Sequence, residues 1–275
     1  MNIPLTLLYV PADQTYKVTK ALASEADVVI IDLEDAVAAN HKELARDALT
    51  ALVTSANGRC VQVRVNAVGT PWSDADLAAV AELPSTVGVR LPKMVDPEQV
   101  RQIADRVGAR QLHLLVESAL GVERAFELAT AHANVASIAL GEADLRSDLG
   151  LISDHGLLWA RSRIVNAARA AGLPAPSMSA YTNVSDLAGL AASCAEGREL
   201  GFLGRTAIHP RQLETIAASF RPTDAEVTAA RAVLAAVATA AESGKGALAL
   251  EDGSFLDVAM VEGARKTLAL SDRLG

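Results

Sequence analysis

The chain has 275 residues, of which 51% are hydrophobic, and its 25 basic and 33 acidic residues give a formal net charge of −8. This acidic balance excludes a general nucleic-acid binder, because binding to a phosphate backbone requires a basic surface. No apolar run approaches the roughly 20 residues of a membrane-spanning helix. Cys60 and Cys194 are too few for a disulfide framework, and the start of the chain lacks the pattern of a signal peptide. We therefore expect a cytoplasmic protein that does not bind membranes.

Short apolar runs typical of β-strands alternate with longer amphipathic stretches typical of helices through the first 220 residues. Strands that are separated by helices pair in parallel. The predicted strands cover residues 5–11, 27–33, 60–66, 86–93, 112–118 and 135–141, followed by weaker ones at 175–181 and 202–210. Eight such units predict a (β/α)8 TIM barrel over residues 1–220. A doubly wound open sheet is the alternative, and the count of eight favours the barrel.

The pattern changes after residue 220. Residues 223–242 have the composition of one long helix, "EDGS" at 251–254 is typical of a hairpin turn, and the chain from about residue 257 again has a helical pattern. We expect residues 221–275 to form a helical and hairpin extension outside the barrel, which either caps the barrel or contacts a neighbouring subunit.

Charged and polar side chains gather where the predicted strands end. Barrels of this type carry their active sites at the C-terminal ends of the strands. The residues at these ends are Asp32, Glu34 and Asp35 on the second strand, Arg64 and Asn66 on the third, Arg90 and Lys93 on the fourth, Glu117 and Ser118 on the fifth, Glu142 and Asp144 on the sixth, and His209 on the eighth. This convergence predicts a site that contains acids, an arginine and a lysine on one rim.

Arg64 lies in an otherwise apolar strand. In "VQVRVN" it shares a face with Gln62 and Asn66, while three valines occupy the other face. A buried guanidinium requires an anionic partner. Two interpretations stay open, namely a structural ion pair with Asp32 or Glu34 and a clamp for a substrate carboxylate.

Glu117 and Asp144 follow two adjacent predicted strands, where a carboxylate either caps a helix or binds a metal. Two carboxylates suit Mg²⁺, which takes few protein ligands and keeps positions for water and substrate oxygens. Competing motifs are absent, since the sequence has no HExxH, no CxxC pair, no GxSxG and no P-loop. The histidines at positions 41, 113, 132 and 155 are interpreted as ordinary surface or helix residues.

An ordered set of motifs extends across nearly the whole chain. The set comprises "LLYVPAD", "VVIIDLEDAV", "ARDAL", "VQVRVNAVGT", "VRLPKM", "LLVESALGV", "IALGEADLRSDLG", "GFLGRTAIHPRQLETI" and "GALALEDGSFLDVAMVEGARK". In these motifs the sequence resembles the HpcH/HpaI aldolase and citrate lyase superfamily, and within it the citrate lyase beta-subunit-like proteins of the malyl-CoA and citramalyl-CoA lyase type.

The resemblance implies a Mg²⁺-dependent carbon–carbon lyase that cleaves or forms a 3-hydroxyacyl-CoA, such as malyl-CoA, citramalyl-CoA or citryl-CoA, with an acyl-CoA and a 2-oxo acid as partners. It implies that Glu117 and Asp144 bind the metal and, through it, the substrate, and that Arg64 binds the carboxylate of the oxo acid. Glu34 would act beside the metal through waters. Asp257 would reach a neighbouring subunit's site and handle the proton on the acyl-CoA methyl carbon. A homotrimer or hexamer is implied as well.

The sequence departs from the family pattern in two regions. After the first strand, where relatives often carry arginines, this chain has Gln14, Lys17 and Lys20, and Lys17 is our candidate for a contact with CoA. In the seventh-strand region, "PSMSAYTNVSD" has Asn183 where an aspartate is usual. These departures leave two alternatives open, namely an aldolase for a free 2-oxo acid without CoA and a non-catalytic ligand-binding barrel.

Overall fold

The fold is described from a computed structural model, which describes residues 4–243, 248–249, 255–256 and 258–274, and the side chains of 4–239 and 260–272. The strands are β1 (Thr6–Pro11), β2 (Val28–Asp32), β3 (Val61–Arg64), β4 (Gly88–Leu91), β5 (Leu112–Val116), β6 (Val135–Leu140), β7 (Arg205–Ala207), β8 (Leu248–Ala249) and β9 (Phe255–Leu256). The helices are α1 (Thr15–Leu22), α2 (Lys42–Asp47), α3 (Leu49–Thr54), α4 (Ser73–Ala81), α5 (Pro97–Val107), α6 (Ala119–Glu123), α7 (Ala125–Ala129), α8 (Glu142–Leu149), α9 (Leu158–Ala170), α10 (Leu187–Glu199), α11 (Leu213–Phe220), α12 (Asp224–Ser243) and α13 (Val258–Leu274). None of the described helices combines the length and apolar composition that a bilayer crossing requires.

The chain divides into two compact units, residues 1–219 and 220–275. The first is an α/β unit with a curled sheet of seven parallel strands in the order β6-β5-β4-β3-β2-β1-β7. In the second, α12 packs on α13 through Ala230, Val233 and Ala264, and β8 pairs antiparallel with β9. The predicted "EDGS" turn lies outside the described residues.

The two faces of the sheet differ in chemistry. The register aligns Asp32 with Arg64 and Arg64 with Arg90, and Arg90 is aligned in turn with His113. We call the face that carries these residues the polar face. The alternate residues, among them Ile31, Val63 and Val89, are buried aliphatic side chains and lie on the opposite face. Since Asp32, Arg64 and Arg90 share one face, the side chains of a functional site are brought together there.

Local signals account for several element boundaries. Helix α5 begins where the Asp96 side chain accepts a hydrogen bond from the backbone N–H of Glu98, with Pro97 in the first turn. It ends at Gly108, whose φ of +68° is accessible to glycine at little cost. The β2 run of Val and Ile suits a strand that is covered on both faces.

The predicted seventh strand is reduced to one residue. Met178 forms an isolated parallel bridge with Arg205 of β7, and the hydroxyl of Ser179 accepts a hydrogen bond from the backbone N–H of Glu142, just after β6. The backbone hydrogen bonds between this segment and the chain around β7 join Met178 to Gly204 and Thr206, and Leu203 to Pro176, and Pro176 itself has no N–H to donate. Residues 175–181 therefore do not make the strand that the sequence predicts.

Candidate active site

The Asp32 carboxylate fixes the position of Arg64 on the polar face. Arg64 donates from Nε to Asp32 Oδ1 at 2.7 Å and from Nη2 to Oδ2 at 2.6 Å, which is a bidentate ion pair. The same carboxylate accepts hydrogen bonds from the backbone N–H groups of Glu34 and Ala36. One buried aspartate therefore orients Arg64 and shapes the turn after β2. The structural ion pair that the sequence left open is present.

Glu34 and Asp35 extend this cluster towards Lys93. Glu34 is buried, with Oε2 2.8 Å from Arg64 Nη1 and Oε1 3.0 Å from Lys93 Nζ. The exposed Asp35 lies 3.3 Å from Arg64 Nη1 and 3.8 Å from Lys93 Nζ. Burial raises the pKa of Glu34, while the charge of Arg64 opposes that shift. We call Asp32, Glu34 and Asp35 the arginine cluster. Each of these carboxylates is in contact with a cation.

Lys42 and Asn66 hold the backbone that carries Glu34. Lys42 Nζ donates to the carbonyl oxygens of Leu33 and Glu34, each at 2.7 Å, and Asn66 Nδ2 donates to the Leu33 carbonyl at 3.0 Å. Burial lowers the pKa of Lys42. Sequence reasoning did not identify Lys42, because a lysine at the start of a short helix carries no local signal of such a contact.

Glu117 lies on the other side of Lys93. The backbone N–H of Lys93, which has a φ of +55°, donates to Glu117 Oε2 at 2.9 Å. An added Cβ at Gly141 would come within 2.1 Å of Glu117 Oε1, so only glycine leaves room for this carboxylate. Glu117 and Asp144, which we call the cavity pair, line an open cavity of about 400 Å³. The remaining lining residues are Lys93, Val95, Ser118, Ser147 and Asp148.

The cavity pair has less cationic compensation than the arginine cluster, because Lys93, which contacts Asp144, is shared with Glu34 and Asp35. Burial raises the pKa of Glu117 to about 7, and the nearby carboxylates of Glu34 and Asp144 add to this shift. Among the described residues, Asp144 has Lys93 within ion-pair distance, with Nζ 3.9 Å from Oδ1. A buried carboxylate with a raised pKa beside a second carboxylate is a setting in which a bound cation is stabilising.

Mg²⁺ fits this donor set with two protein ligands. Within the described residues, no group of three or more His, Cys, Asp or Glu side chains is arranged to hold a metal. Mg²⁺ commonly binds through one or two carboxylates and keeps its other positions for water and substrate oxygens. Glu117 and Asp144 could therefore hold the ion, and the open cavity leaves space for the oxygen ligands that the protein does not supply.

A buried ion pair fixes the helix that carries Asp144. Arg161 donates from Nε and Nη2 to the two oxygens of Glu142, each at 2.8 Å, and Arg161 is 1% exposed. Glu142 is the first residue of α8, two positions before Asp144. The sequence grouped Glu142 with the rim acids, but its carboxylate is used to anchor α8.

The structure brings together four of the predicted site residues, Arg64, Glu34, Glu117 and Asp144, around Lys93. Lys17 is an exposed residue of α1 and is not among the residues that line the cavity. Asp257 lies outside the described residues.

The interpretation of His113 as an ordinary surface or helix residue is wrong. His113 lies on the polar face of β5, with Nδ1 2.8 Å from Ser137 Oγ. Burial, with a contribution from the charge of Arg90, lowers the pKa of His113 to about 3. It is therefore neutral over the physiological range. The position of His113 inside the apolar run "LHLLV" already indicated a strand residue.

The architecture and the site are those of an α/β protein with carboxylates at the ends of parallel strands. The model of the HpcH/HpaI aldolase/citrate lyase family matches residues 5–210, and the chain belongs to this family. The resemblance that the motifs carry is thereby confirmed.

Curated relatives match over almost their full length. The chain is 35% identical to a (3S)-malyl-CoA thioesterase of Cereibacter sphaeroides, over 98% of this chain and 95% of that protein. It is 33% identical to the citrate lyase subunit beta of Escherichia coli, over 98% and 94%. Among solved structures, the protein CitE of Mycobacterium tuberculosis in complex with magnesium, acetoacetate and coenzyme A has a TM-score of 0.83 at 32% identity, with 98% of each chain covered.

Proposed function

We propose that this protein is a Mg²⁺-dependent carbon–carbon lyase, which cleaves a 3-hydroxyacyl-CoA into an acyl-CoA and a 2-oxo acid, or forms it from them. The observation that carries the proposal is the cavity pair, two neighbouring carboxylates that line an open cavity, with the pKa of Glu117 raised to about 7. Two further findings support it, namely membership of the aldolase/citrate lyase family and the similarity to a structure with bound magnesium and coenzyme A.

The residues of this chain have distinct roles in the proposed reaction. Glu117 and Asp144 would hold the ion, which when bound supplies Lewis-acid polarisation of the substrate hydroxyl and carboxylate oxygens. Arg64 has five N–H donors. Asp32 takes one from Nε and one from Nη2, and Glu34 and Asp35 contact Nη1, so the carboxylate of the oxo acid would bind at the remaining Nη2 donor. Glu34 would keep Arg64 and Lys93 in place and act through ordered water.

The bond changes balance without an external oxidant or reductant. The hydroxyl loses its proton, its oxygen becomes the carbonyl of the 2-oxo acid, and the bond between the second and third carbons of the acyl chain breaks. The electron pair passes to the thioester enolate, which takes a proton on carbon to give the acyl-CoA. We propose Asp257 as the donor of that proton and Lys17 as a contact for CoA. Asp257→Ala should then lower kcat more than it changes KM in steady-state kinetics, and equal activity would exclude it.

The architecture proposed for the first unit is a closed (β/α)8 barrel. The segment that contains Met178 and Ser179 supports closure, because it contacts β7 on one side and the start of α8, which follows β6, on the other. We also propose that the protein is a cytoplasmic homotrimer or hexamer, in which the C-terminal extension (residues 221–275) acts as a lid at a neighbouring subunit. Analytical ultracentrifugation of the full chain tests the subunit number.

Thioester hydrolysis is the second candidate, favoured by the 35% identity to a malyl-CoA thioesterase. Both reactions can be followed from one substrate, malyl-CoA with Mg²⁺, by mass spectrometry. A lyase yields acetyl-CoA and glyoxylate, whereas a thioesterase yields malate and free CoA thiol. Citramalyl-CoA and citryl-CoA extend the assay to pyruvate and oxaloacetate as products. If all three thioesters remain intact while free aldehydes condense with pyruvate, the CoA-dependent proposal fails and the free oxo-acid aldolase remains.

A further inference from the structure

Lys93 connects the arginine cluster with the cavity pair. It lies two residues after β4 and has a φ of +55°. This left-handed conformation is costly for a residue with a Cβ and is typical of glycine. Residues that are held in such a conformation by the surrounding structure cluster at functional sites. The Lys93 side chain is therefore a candidate for a role of its own, besides the hydrogen bond that the backbone N–H donates to Glu117.

The Lys93 ammonium contacts acids of both groups, but at unequal distances. Nζ donates a hydrogen bond to Glu34 Oε1 at 3.0 Å, whereas it lies 3.8 Å from Asp35 Oδ1 and 3.9 Å from Asp144 Oδ1. The last two distances are too long for hydrogen bonds, so these contacts are electrostatic. Displacement of Nζ from Asp144 would therefore break no hydrogen bond, and the bond to Glu34 would retain the side chain.

Lys93 and a metal ion would compete for the same carboxylate. Lys93, Glu117 and Asp144 line the same cavity of about 400 Å³. Burial opposes the charged form of Lys93, but the hydrogen bond to Glu34 and the charges of the nearby acids outweigh it and raise the pKa of the lysine. The group is therefore a cation at neutral pH, and a positive charge close to Asp144 repels a second cation.

We infer that Lys93 is a displaceable counter-cation of the metal-free site: it partly neutralises Asp144, is displaced when Mg²⁺ binds, and thereby weakens the Mg²⁺ affinity of the cavity pair. This inference rests on the proposed function and concerns the regulation of metal loading at the same site. After displacement the ammonium stays with Glu34 and Asp35, so the arginine cluster keeps its cation while the cavity pair holds the ion.

A purely structural role for Lys93 predicts the opposite effect on metal binding. If the lysine mainly holds Glu34 and the turn after β4 in place, its loss should disturb the carboxylates of the cavity pair and weaken Mg²⁺ binding. If it is a counter-cation, the loss of its charge should strengthen Mg²⁺ binding. The sign of the change in affinity therefore separates the two roles.

The test is isothermal titration calorimetry of the full-length, metal-free protein with MgCl₂ at one ionic strength, because salt screens such charge effects. Lys93→Met keeps the length of the side chain and the backbone N–H that binds Glu117, and it should lower the Kd for Mg²⁺ by about tenfold. Lys93→Arg keeps the charge and should leave the Kd within about threefold of the parent value. Lys20→Met is the matched control, since Lys20 is exposed on α1 with Nζ 4.5 Å from the centre of the Tyr16 ring, and its Kd should equal that of the parent.

Thermal unfolding supplies a second readout that does not depend on activity. Without metal, Lys93→Met should melt at a lower temperature than the parent, because Glu34 and Asp144 lose a cation. The same concentration of Mg²⁺ should then raise its melting temperature by more than that of the parent, since tighter binding to the folded state stabilises it more. Lys93→Gln, which can still donate a hydrogen bond to Glu34, should also bind Mg²⁺ more tightly, and it provides the test if the methionine variant does not fold.

The outcomes distinguish this inference from the proposed function. A Kd for Mg²⁺ that is unchanged or higher in Lys93→Met and Lys93→Gln, while the parent protein binds the ion, overturns the inference and leaves the lyase proposal intact. A parent protein that binds no Mg²⁺ contradicts the proposed function itself, and the inference fails with it.

Discussion

The arginine cluster and the cavity pair are two groups of carboxylates within the same site, and they differ in what surrounds them. In the arginine cluster, Asp32 and Glu34 each lie within 3 Å of a cationic nitrogen. In the cavity pair, Glu117 accepts a backbone hydrogen bond from Lys93, and its pKa is raised to about 7. The acids at and just after the end of β2 thus hold Arg64, whereas Glu117 and Asp144 are available to bind a cation.

Replacing Asp32 should have the largest effect on stability. Asp32→Asn removes the charge that compensates a buried guanidinium, and breaking such a pair typically costs about 3–5 kcal/mol of unfolding free energy. The measurement is urea denaturation of the metal-free protein. Asp74→Asn is the matched control, because its ion pair with Arg106 is also 2.7 Å long but exposed, and it should change stability by less than about 1 kcal/mol. Equal losses in the two variants would refute the assignment of Asp32.

The second prediction separates the two groups by metal affinity. Glu117→Gln and Asp144→Asn should each weaken Mg²⁺ binding by more than about 100-fold, since loss of an outer-shell partner alone costs about 10- to 100-fold. Asp35→Asn, which alters an exposed acid of the arginine cluster, should weaken it by less than about tenfold. Calorimetric titration with MgCl₂ measures all three. Full affinity in the Glu117 variant would exclude that residue as a ligand.

Mg²⁺ affinity should depend on pH in a predictable direction. Because the pKa of Glu117 is raised to about 7 in the metal-free protein, the ion must displace a proton below that value. Affinity should therefore fall by up to about tenfold per pH unit between pH 7 and pH 5 and level off above pH 7.5. The same linkage acts on stability, because a raised carboxyl pKa stabilises the metal-free fold below pH 4.5 and this contribution is lost as the pH rises through 7. An affinity independent of pH would contradict the shift.

The smallest expected effect concerns the space beside Glu117. The added methyl group of Gly141→Ala would meet Glu117 Oε1 at 2.1 Å, so the carboxylate must move. We expect a roughly tenfold loss of Mg²⁺ affinity, comparable with a disturbed outer-shell contact. Gly263→Ala, at a position in α13 where the added carbon meets nothing within 4 Å and the backbone is not left-handed, controls for a general effect of the substitution on the fold. Unchanged affinity in Gly141→Ala would show that Glu117 need not occupy its present position.

Much of the fold could be predicted from the sequence because its signals are local. The apolar run of β2 and the alternation of "VQVR" determine strand position and face, so the sharing of one face by Gln62 and Arg64 followed from spacing alone. The seventh strand could not be judged in this way. Its pattern resembles a strand, but only Met178 pairs with β7, and which backbone groups meet across this gap depends on the packing of distant segments.

The site was harder to predict where it depends on distant contacts. The spacing identified Glu117 and Asp144 as candidates. The raised pKa of Glu117, however, depends on its burial and on the positions of Glu34 and Asp144. The role of Lys42 depends on a contact with the loop after β2, and the hydrogen bond from Arg90 to Gln62 depends on the alignment of two strands. Such properties arise from packing in three dimensions, which single-sequence patterns do not contain.

The most direct test of the difference between the two groups is a crystal structure of the protein soaked with Mn²⁺, which takes the place of Mg²⁺ and can be located by its anomalous scattering. The account predicts one ion bound by the carboxylates of Glu117 and Asp144, with Asp32 still paired to Arg64. An ion bound instead by Asp32, Glu34 or Asp35 would contradict it, as would a fully occupied ion site elsewhere with none between Glu117 and Asp144.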